Sequence, residues 1–509
     1  MMSPRRRSSS EICVAVAVLT TLVVATACSS SLGGAQDAGS QGGSGAGPAG
    51  GGGGPAGAAR GLAGGGGRGG SGGAAGTAAG GRGGGAAGIA GVDRRMPNAD
   101  CAGTVNSPVA PLVQDVTLVC APRSAGFSSI RVASGAAGRG YVVYNSSAFG
   151  PPPARVVTID SAGRVSTETG PQGVENVLVL PGPAGTPILV GGPVTGDGIA
   201  LYSAEPTEWR REPITPPPGA NRFQLMGARI VADGRVFVAY YSFEAKAFIA
   251  TRAATGGWTE TMIPDATFGA ALVVDSLARP HAIYGWQPAG ASDGDFGIYD
   301  WYPGAARGEL SYPLVGTVGV LAAAPVSDGR IAASVMLDAG IHVIAPDATG
   351  NPRSLTLPNT QRLVVTGCPV LPAAVNANVP PMMCTETGEG TTAQAIVSTA
   401  DGKLWLAYLH RRIDRDVVQS CPLFETTYLC RRQIMVERST SEIVVVRVPP
   451  DGTTPTAADI RWRTPVLITT PDSIAIDASG SKLTLAIDAT PMYALASAFR
   501  YVVIETNGL

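Results

Sequence analysis

An all-β protein, a β-propeller of four-stranded blades behind a disordered Gly-rich linker, is the fold class this sequence predicts, on three observations. The stretch ADGRVFVAY, Ala232 to Tyr240, returns as ADGKLWLAY, Ala400 to Tyr408, 168 positions later. The unit around that motif recurs along most of the chain. Each unit reads as four short strands, and a lone sheet of that size cannot bury both faces, whereas sheets stacked around an axis can.

The elements follow in chain order. Arg5, Arg6 and Arg7 precede an apolar run from Ile12 to Ala27, short for a membrane span and built like the charged and hydrophobic regions of a signal peptide. The run ends in Ala25-Thr26-Ala27-Cys28-Ser29. This end resembles the lipobox of bacterial lipoproteins, with Ala25 standing where Leu is commonest. The resemblance implies that 1–27 is a lipoprotein signal peptide and that Cys28 is acylated as the new N-terminus; ordinary cleavage near Ala27 is the alternative. Ser29 behind the cysteine resembles the pattern that sends lipoproteins onward, which implies the outer membrane or cell surface of a Gram-negative bacterium.

Residues 28–96 form the tether. Between Gln41 and Ala90, 26 of 50 residues are Gly, too little apolar surface to offset the entropy of ordering, so disorder is expected. A coil of about 60 such residues reaches roughly 40 to 46 Å, enough to lift a domain clear of a membrane. The folded domain is then 97–509, and its contact with the membrane runs through the lipid anchor only.

Charge narrows the partners. With 37 Lys+Arg against 38 Asp+Glu the net is -1, and no basic run follows a phosphate backbone, which argues against nucleic acid. His281, His342 and His410 are the only histidines, so His-rich metal centres are excluded and no metal or cofactor is expected. The chain is expected to be monomeric. Six further cysteines come as close pairs, Cys101 with Cys120, Cys368 with Cys384, and Cys421 with Cys430. In an exported protein they read as disulfides, and nearest-neighbour pairing is expected because each pair is isolated from the next. Closing a loop of about 15 residues is worth about 3 kcal/mol in the chain-entropy model.

Seven anchors mark the repeat: Arg139, Thr186, Arg235, Arg279, Arg330, Lys403 and Lys482, with successive differences of 47, 49, 44, 51, 73 and 79. Upstream of each lies an apolar run, such as SIRVAS, ARIVA or SIAID, then a tight turn, cleanest at Asp233-Gly234, Asp328-Gly329 and Asp401-Gly402. Downstream comes an alternating run, with Tyr five places beyond the anchor at Tyr144, Tyr240, Tyr284 and Tyr408. A second hairpin follows, where Trp209 and Ile214 return as Trp258 and Ile263 and again as Trp462 and Leu467. The count gives seven blades, with six as the alternative, and Val113 to Cys120 is a candidate for the last blade's fourth strand. The "D-G-R/K, alternating, A-Y" signature resembles secreted bacterial propellers and names no substrate.

The two long intervals locate insertions, Gln361 to Ala395 and His410 to Glu442. Strand parity puts both on the pole opposite the Asp-Gly turns, together with the connection from Trp286 to Trp301. Recognition resides on such loops, so the candidate ligand-binding residues are Trp286, His410, Arg411, Arg412, Tyr428, Arg431 and Arg432. With Arg415, the arginines could clamp a carboxylate or sulfate through planar, paired donors. The competing reading is a solvated hairpin whose charges pair with Asp414, Asp416 and Glu437. Ser398 to Trp405 is similar to a sialidase box but has Asp and Gly adjacent, so no catalytic residue carries over. Asp293-Gly294-Asp295 reads as an ordinary turn rather than a calcium loop. The functional expectation is a binding or scaffolding module for a glycan, peptide or envelope protein. A glycan-acting hydrolase or lyase, with its site at the central channel, is the alternative.

Overall fold

The computed structural model describes residues 101–507, except 121–129, 145–153, 193–197, 216–222, 243–245, 265–269, 287–294, 316–320, 327–328, 338–339, 347–348, 350, 358–363, 368–378, 422, 425–426, 429–430, 451–452, 467–473 and 489–496. The signal-peptide segment, Cys28 and the tether 28–96 lie outside the described residues, as do Cys368, Cys430 and Asp293-Gly294. All that is described belongs to one unit, Gly91–Leu509.

Two strands open it, β1 (Cys101–Val105) and β2 (Leu112–Cys120). Blade 1 is β3 (Arg131–Ser134), β4 (Gly140–Tyr144), β5 (Arg155–Ile159) and β6 (Val165–Thr169); blade 2 is β7 (Glu175–Pro181), β8 (Pro187–Gly192), β9 (Ala200–Ala204) and β10 (Trp209–Pro213). Blade 3 is β11 (Phe223–Ile230), β12 (Val236–Ser242), β13 (Lys246–Arg252) and β14 (Trp258–Ile263); blade 4 is β15 (Ala270–Val274), β16 (Pro280–Trp286), β17 (Asp295–Trp301) and β18 (Glu309–Val315). Blade 5 is β19 (Leu321–Pro325), β20 (Ile331–Leu337), β21 (Gly340–Pro346) and β22 (Pro352–Thr356). Blade 6 spans β23 (Val364–Thr366), β24 (Val379–Ser398), β25 (Leu404–Cys421), the small pair β26 (Leu423–Phe424) and β27 (Thr427–Tyr428), β28 (Arg431–Glu437), β29 (Thr440–Val448) and β30 (Ile460–Val466). Blade 7 is β31 (Ile474–Ser479), β32 (Lys482–Asp488) and β33 (Ser497–Glu505), completed by β2 and β1.

The first full strand of each blade is innermost. These strands neighbour one another in the order β3, β7, β11, β15, β19, β24, β31 and back to β3. Seven sheets therefore close a ring, and the six-blade alternative falls. Closure takes a strand from the other end of the unit: β2 pairs with β33 from Leu112 opposite Ile504 to Cys120 opposite Ser497. β1 adds a fifth strand that the sequence did not announce, with Cys101 opposite Cys120 and disulfide-bonded to it. Cys384 and Cys421 are also disulfide-bonded, while the partner expected for each lies outside the described residues.

Alternation in the sequence becomes packing between blades. In β12, Val236, Val238 and Tyr240 join the apolar cluster shared with blade 2, while Phe237 and Ala239 join the cluster shared with blade 4. The recurring aromatics serve the same seams. Tyr144, Tyr240 and Tyr284 are buried, and Trp209 crosses from blade 2 to donate its indole N–H to the Thr169 carbonyl of blade 1 at 2.9 Å.

The Asp-Gly-basic motif has a structural cause. In blade 3, Val231 N donates to Arg235 O at 3.0 Å, and Gly234 takes φ +87° inside that loop, a conformation that costs Gly little. Asp233 pins the turn by accepting Arg235 N at 2.9 Å and Arg235 Nε at 2.7 Å. The guanidinium then reaches the next blade: Arg235 Nη2 donates to Ala278 O at 3.3 Å, and in blade 1 Arg139 Nη1 donates to Gly185 O at 2.5 Å. Both acceptors immediately precede the next anchor, Arg279 and Thr186. At Arg139 and Arg235 the basic residue is thus a clasp between blades.

Blade 4 breaks the pattern, because Ala278 holds φ +58° where the cleanest turns have Gly. A left-handed L-residue costs roughly 1–2 kcal/mol, against about 0.5–1 kcal/mol of extra chain entropy for Gly. Ala278→Gly is therefore expected to stabilise the fold by about 0.5–1 kcal/mol, read as a raised denaturant midpoint at unchanged slope.

Candidate functional site

Blade 6 departs from the others in length. β24 runs 20 residues and β25 runs 18, paired from Ser398 opposite Leu404 out to Val379 opposite Cys421. The third strand is extended as well, since β29 and β28 both pair with β25, separated at Arg438 and Ser439. β23 joins the far side of β24 at Thr385 to Thr387. The two insertions are therefore not separate loops. They form one four-stranded projection, on the pole opposite the Thr399–Lys403 turn, whose outer part from His410 to Cys421 is about 40 Å long at the usual strand rise.

Its charges are largely spent internally. Arg438 grips Asp414 and Asp416, each at 2.8 Å, and Arg415 Nε meets Glu386, whose side chain is fully buried, at 2.6 Å. His410 lies 3.3 Å from Glu442 and 3.9 Å from Glu389. Asp414 and Asp416 thus pair as the solvated-hairpin reading expects, though with Arg438, which the sequence reading had not singled out.

The four candidate arginines do not converge. Arg411 and Arg412 are successive residues of one strand and point to opposite faces. Arg432 is opposite Gln419 and Arg431 opposite Ser420, eight positions along the strand from Arg411 and Arg412, or about 26 Å. Arg411 is half-buried beside Gly390 and Ser441, and its buried Nε has no acceptor among the described residues. Burial, followed by the neighbouring Arg415, pushes that guanidinium's pKa down against the pull of Glu437. Tyr428 lies in the two-residue strand paired with Leu423. Trp286 ends β16 two blades away, half-buried, with its ring edge-on to Tyr299 at 5.0 Å.

Sequence reasoning missed the apolar character of the projection. Met382 and Met383 on β24 are 40% and 56% exposed, and Ile434, Met435 and Val436 on β28 are 46%, 53% and 44% exposed. Register places them at one level, with Met383 opposite Val418, which in turn opposes Gln433, and strand alternation shares them between the two faces of the projection. β28 also has an open edge: the outer strand β30 pairs only with Ser441 to Val446 of β29, and β25 is the one strand bonded to β28 among the described residues. The signal available in sequence was the uninterrupted Ile434-Met435-Val436 inside an otherwise polar run.

No protein-family profile and no curated protein matches the chain. Among solved structures it is similar to AofleA from Arthrobotrys oligospora, at 12% identity over 67% of this chain and 92% of that one, TM-score 0.36. It is similar to the Dos1 propeller at 8% identity over 75% and 93%, TM-score 0.37. A gluconolactonase from Xanthomonas campestris gives 11% identity over 81% and 99%, TM-score 0.31. These likenesses carry no ligand or reaction to the present chain.

Proposed function

We propose that the protein is an extracytoplasmic binding module, held to a membrane through an acylated Cys28 and the 28–96 tether, whose blade 6 projection meets an envelope protein. The observation that supports this reading most is the exposed band Met382, Met383, Ile434, Met435 and Val436 beside the open edge of β28. Exposed apolar side chains grouped at one level of a strand pair mark interaction surfaces, and an unpaired strand edge offers backbone donors and acceptors to an extended partner segment. The ring supplies a rigid base. The disulfide-bonded Cys384 and Cys421 stiffen the projection.

A photocrosslinker at Met435, used in native envelopes, is expected to give one adduct of defined mass, with none from the same probe at exposed Lys246 on blade 3. With the probe kept at position 435, Ile434→Asp with Val436→Asp is expected to remove interface burial and the adduct together, while leaving the ring's melting unchanged. A fatty-acid label entering wild type and not Cys28→Ser checks the anchor in the same preparation. No adduct, or equal adducts from both probe positions, would overturn the reading.

A further inference from the structure

The innermost strands are apolar in most blades, as in Ala270–Val274 and Leu321–Pro325. Two carry an arginine instead, Arg131 on β3 and Arg229 on β11, within the runs SIRVAS and ARIVA. Each of these strands bonds to one neighbour only, β4 and β12 respectively. Their other edges face the axis of the ring. Both arginines are exposed although neighbouring innermost strands flank them on either side.

The two side chains are held alike. Arg131 Nη1 donates to Ile130 O at 2.9 Å, and Arg229 Nη1 donates to Ala228 O at 3.0 Å. Neither makes an ion pair among the described residues. Each guanidinium carries five N–H donors, so most remain unspent after that one bond. Two acidic residues stand on the blade portions of the innermost strands, Glu175 at the start of β7 and Asp477 on β31, and the Asp477 Oδ2 accepts the Ser134 backbone N–H at 2.6 Å. Arg131 stands four residues before its turn residue Gly135, and Arg229 two before Val231, so their levels along the axis differ by about 7 Å.

We infer that the axial channel is an anion-binding site in which Arg131 and Arg229 hold a small ligand bearing a carboxylate, sulfate or phosphate. An oxyanion matches the fork of a guanidinium, and an apolar wall strengthens the pairing by excluding water. The site is independent of the blade 6 projection, since no residue is shared, and loss of one leaves the other testable.

Titration calorimetry on the full chain tests it with four probes: sodium sulfate, inorganic phosphate, galacturonate and, as the uncharged control, galactose. Saturable binding of at least one anion is expected, with galactose silent. Arg131→Gln and Arg229→Gln should each weaken that binding about tenfold or more, and the double variant should abolish it. Arg131→Lys with Arg229→Lys keeps both charges while removing the fork. It serves where the Gln pair fails to fold, with weakened binding again expected. Failure of all three anions to bind wild type, or equal binding by wild type and the folded variants, would overturn the assignment.

Discussion

Arg500→Ala is expected to destabilise the ring by about 3–5 kcal/mol, the range for stripping the partner from a buried charge. Arg500 lies on β33 and holds Asp115 of β2 through Nε at 3.1 Å and Nη2 at 2.8 Å. The Asp115 side chain is 6% exposed and that of Arg500 28%. Arg500 also donates to Thr464 Oγ1 at 2.6 Å and stacks 5.5 Å from the Trp462 ring centre. The pair fastens the strand that closes the ring to the blade it completes, and Thr464 extends the grip to blade 6. Burial works to raise the Asp115 pKa, but hydrogen bonds from Arg500 and Asn106 outweigh it and hold the carboxyl below its ordinary 3.8. A depressed carboxylate contributes stability that is present above the unfolded value and disappears as pH falls through the folded one. The gap between wild type and Arg500→Ala in urea unfolding should therefore be full near neutrality and narrow in acid. Asp115→Asn with Arg500→Ala should recover part of the loss. An unchanged midpoint for Arg500→Ala would mean that the ring closes without this pair.

The ring was legible because its determinants repeat. Period-2 alternation in β12 divides two seams, and the basic anchor sits where it can pin its own turn, as Arg235 and Arg279 do, or reach the next blade, as Arg139 and Arg235 do. Even the closing strand was foreseeable, since the last unit runs out of chain and an alternating segment stood free near the other end. β1 was not, because five residues of C-A-G-T-V lack any apolar face to betray a strand; its place follows from the disulfide and from β2. The insertions were located in sequence and on the correct pole, but read as loops. Their strands are long because β24 and β25 continue pairing beyond the blade, and register between segments so far apart in the chain leaves no local signature. The same blindness produced a cluster of arginines on paper where the sheet sets them on opposite faces and about 26 Å apart. Conversely, Arg131 and Arg229 looked like ordinary members of apolar runs, and only the sheet order shows that both stand on innermost strands.

His281→Gln is expected to cost about 1.5–3 kcal/mol near pH 6, the scale of hydrogen bonds to charged groups, and much less at high pH. The ring of His281 is 5% exposed and lies between two carboxylates, Nδ1 at 2.8 Å from Asp300 and Nε2 at 3.3 Å from Asp275. Arg279 completes the surroundings, 2.7 Å from Asp275 and 5.9 Å above the Tyr302 ring, which itself lies 5.8 Å from the imidazole. Burial alone would lower the His281 pKa; Asp300 and then Asp275 outweigh it, and the net shift is upward from 6.5. A histidine raised in this way contributes stability that is whole below the unfolded value and fades as pH rises through the folded one. Asp275, held below 3.8 despite its burial by Arg279 and His281, stays ionised throughout that window. Denaturant unfolding of both proteins from about pH 5.5 to about pH 9 reads the difference directly. Convergence of the two curves toward high pH is the expected result. A gap that stays constant would show that a neutral imidazole does the bridging, because then no proton is released from His281 across the range and its loss would cost the same hydrogen bonds at every pH.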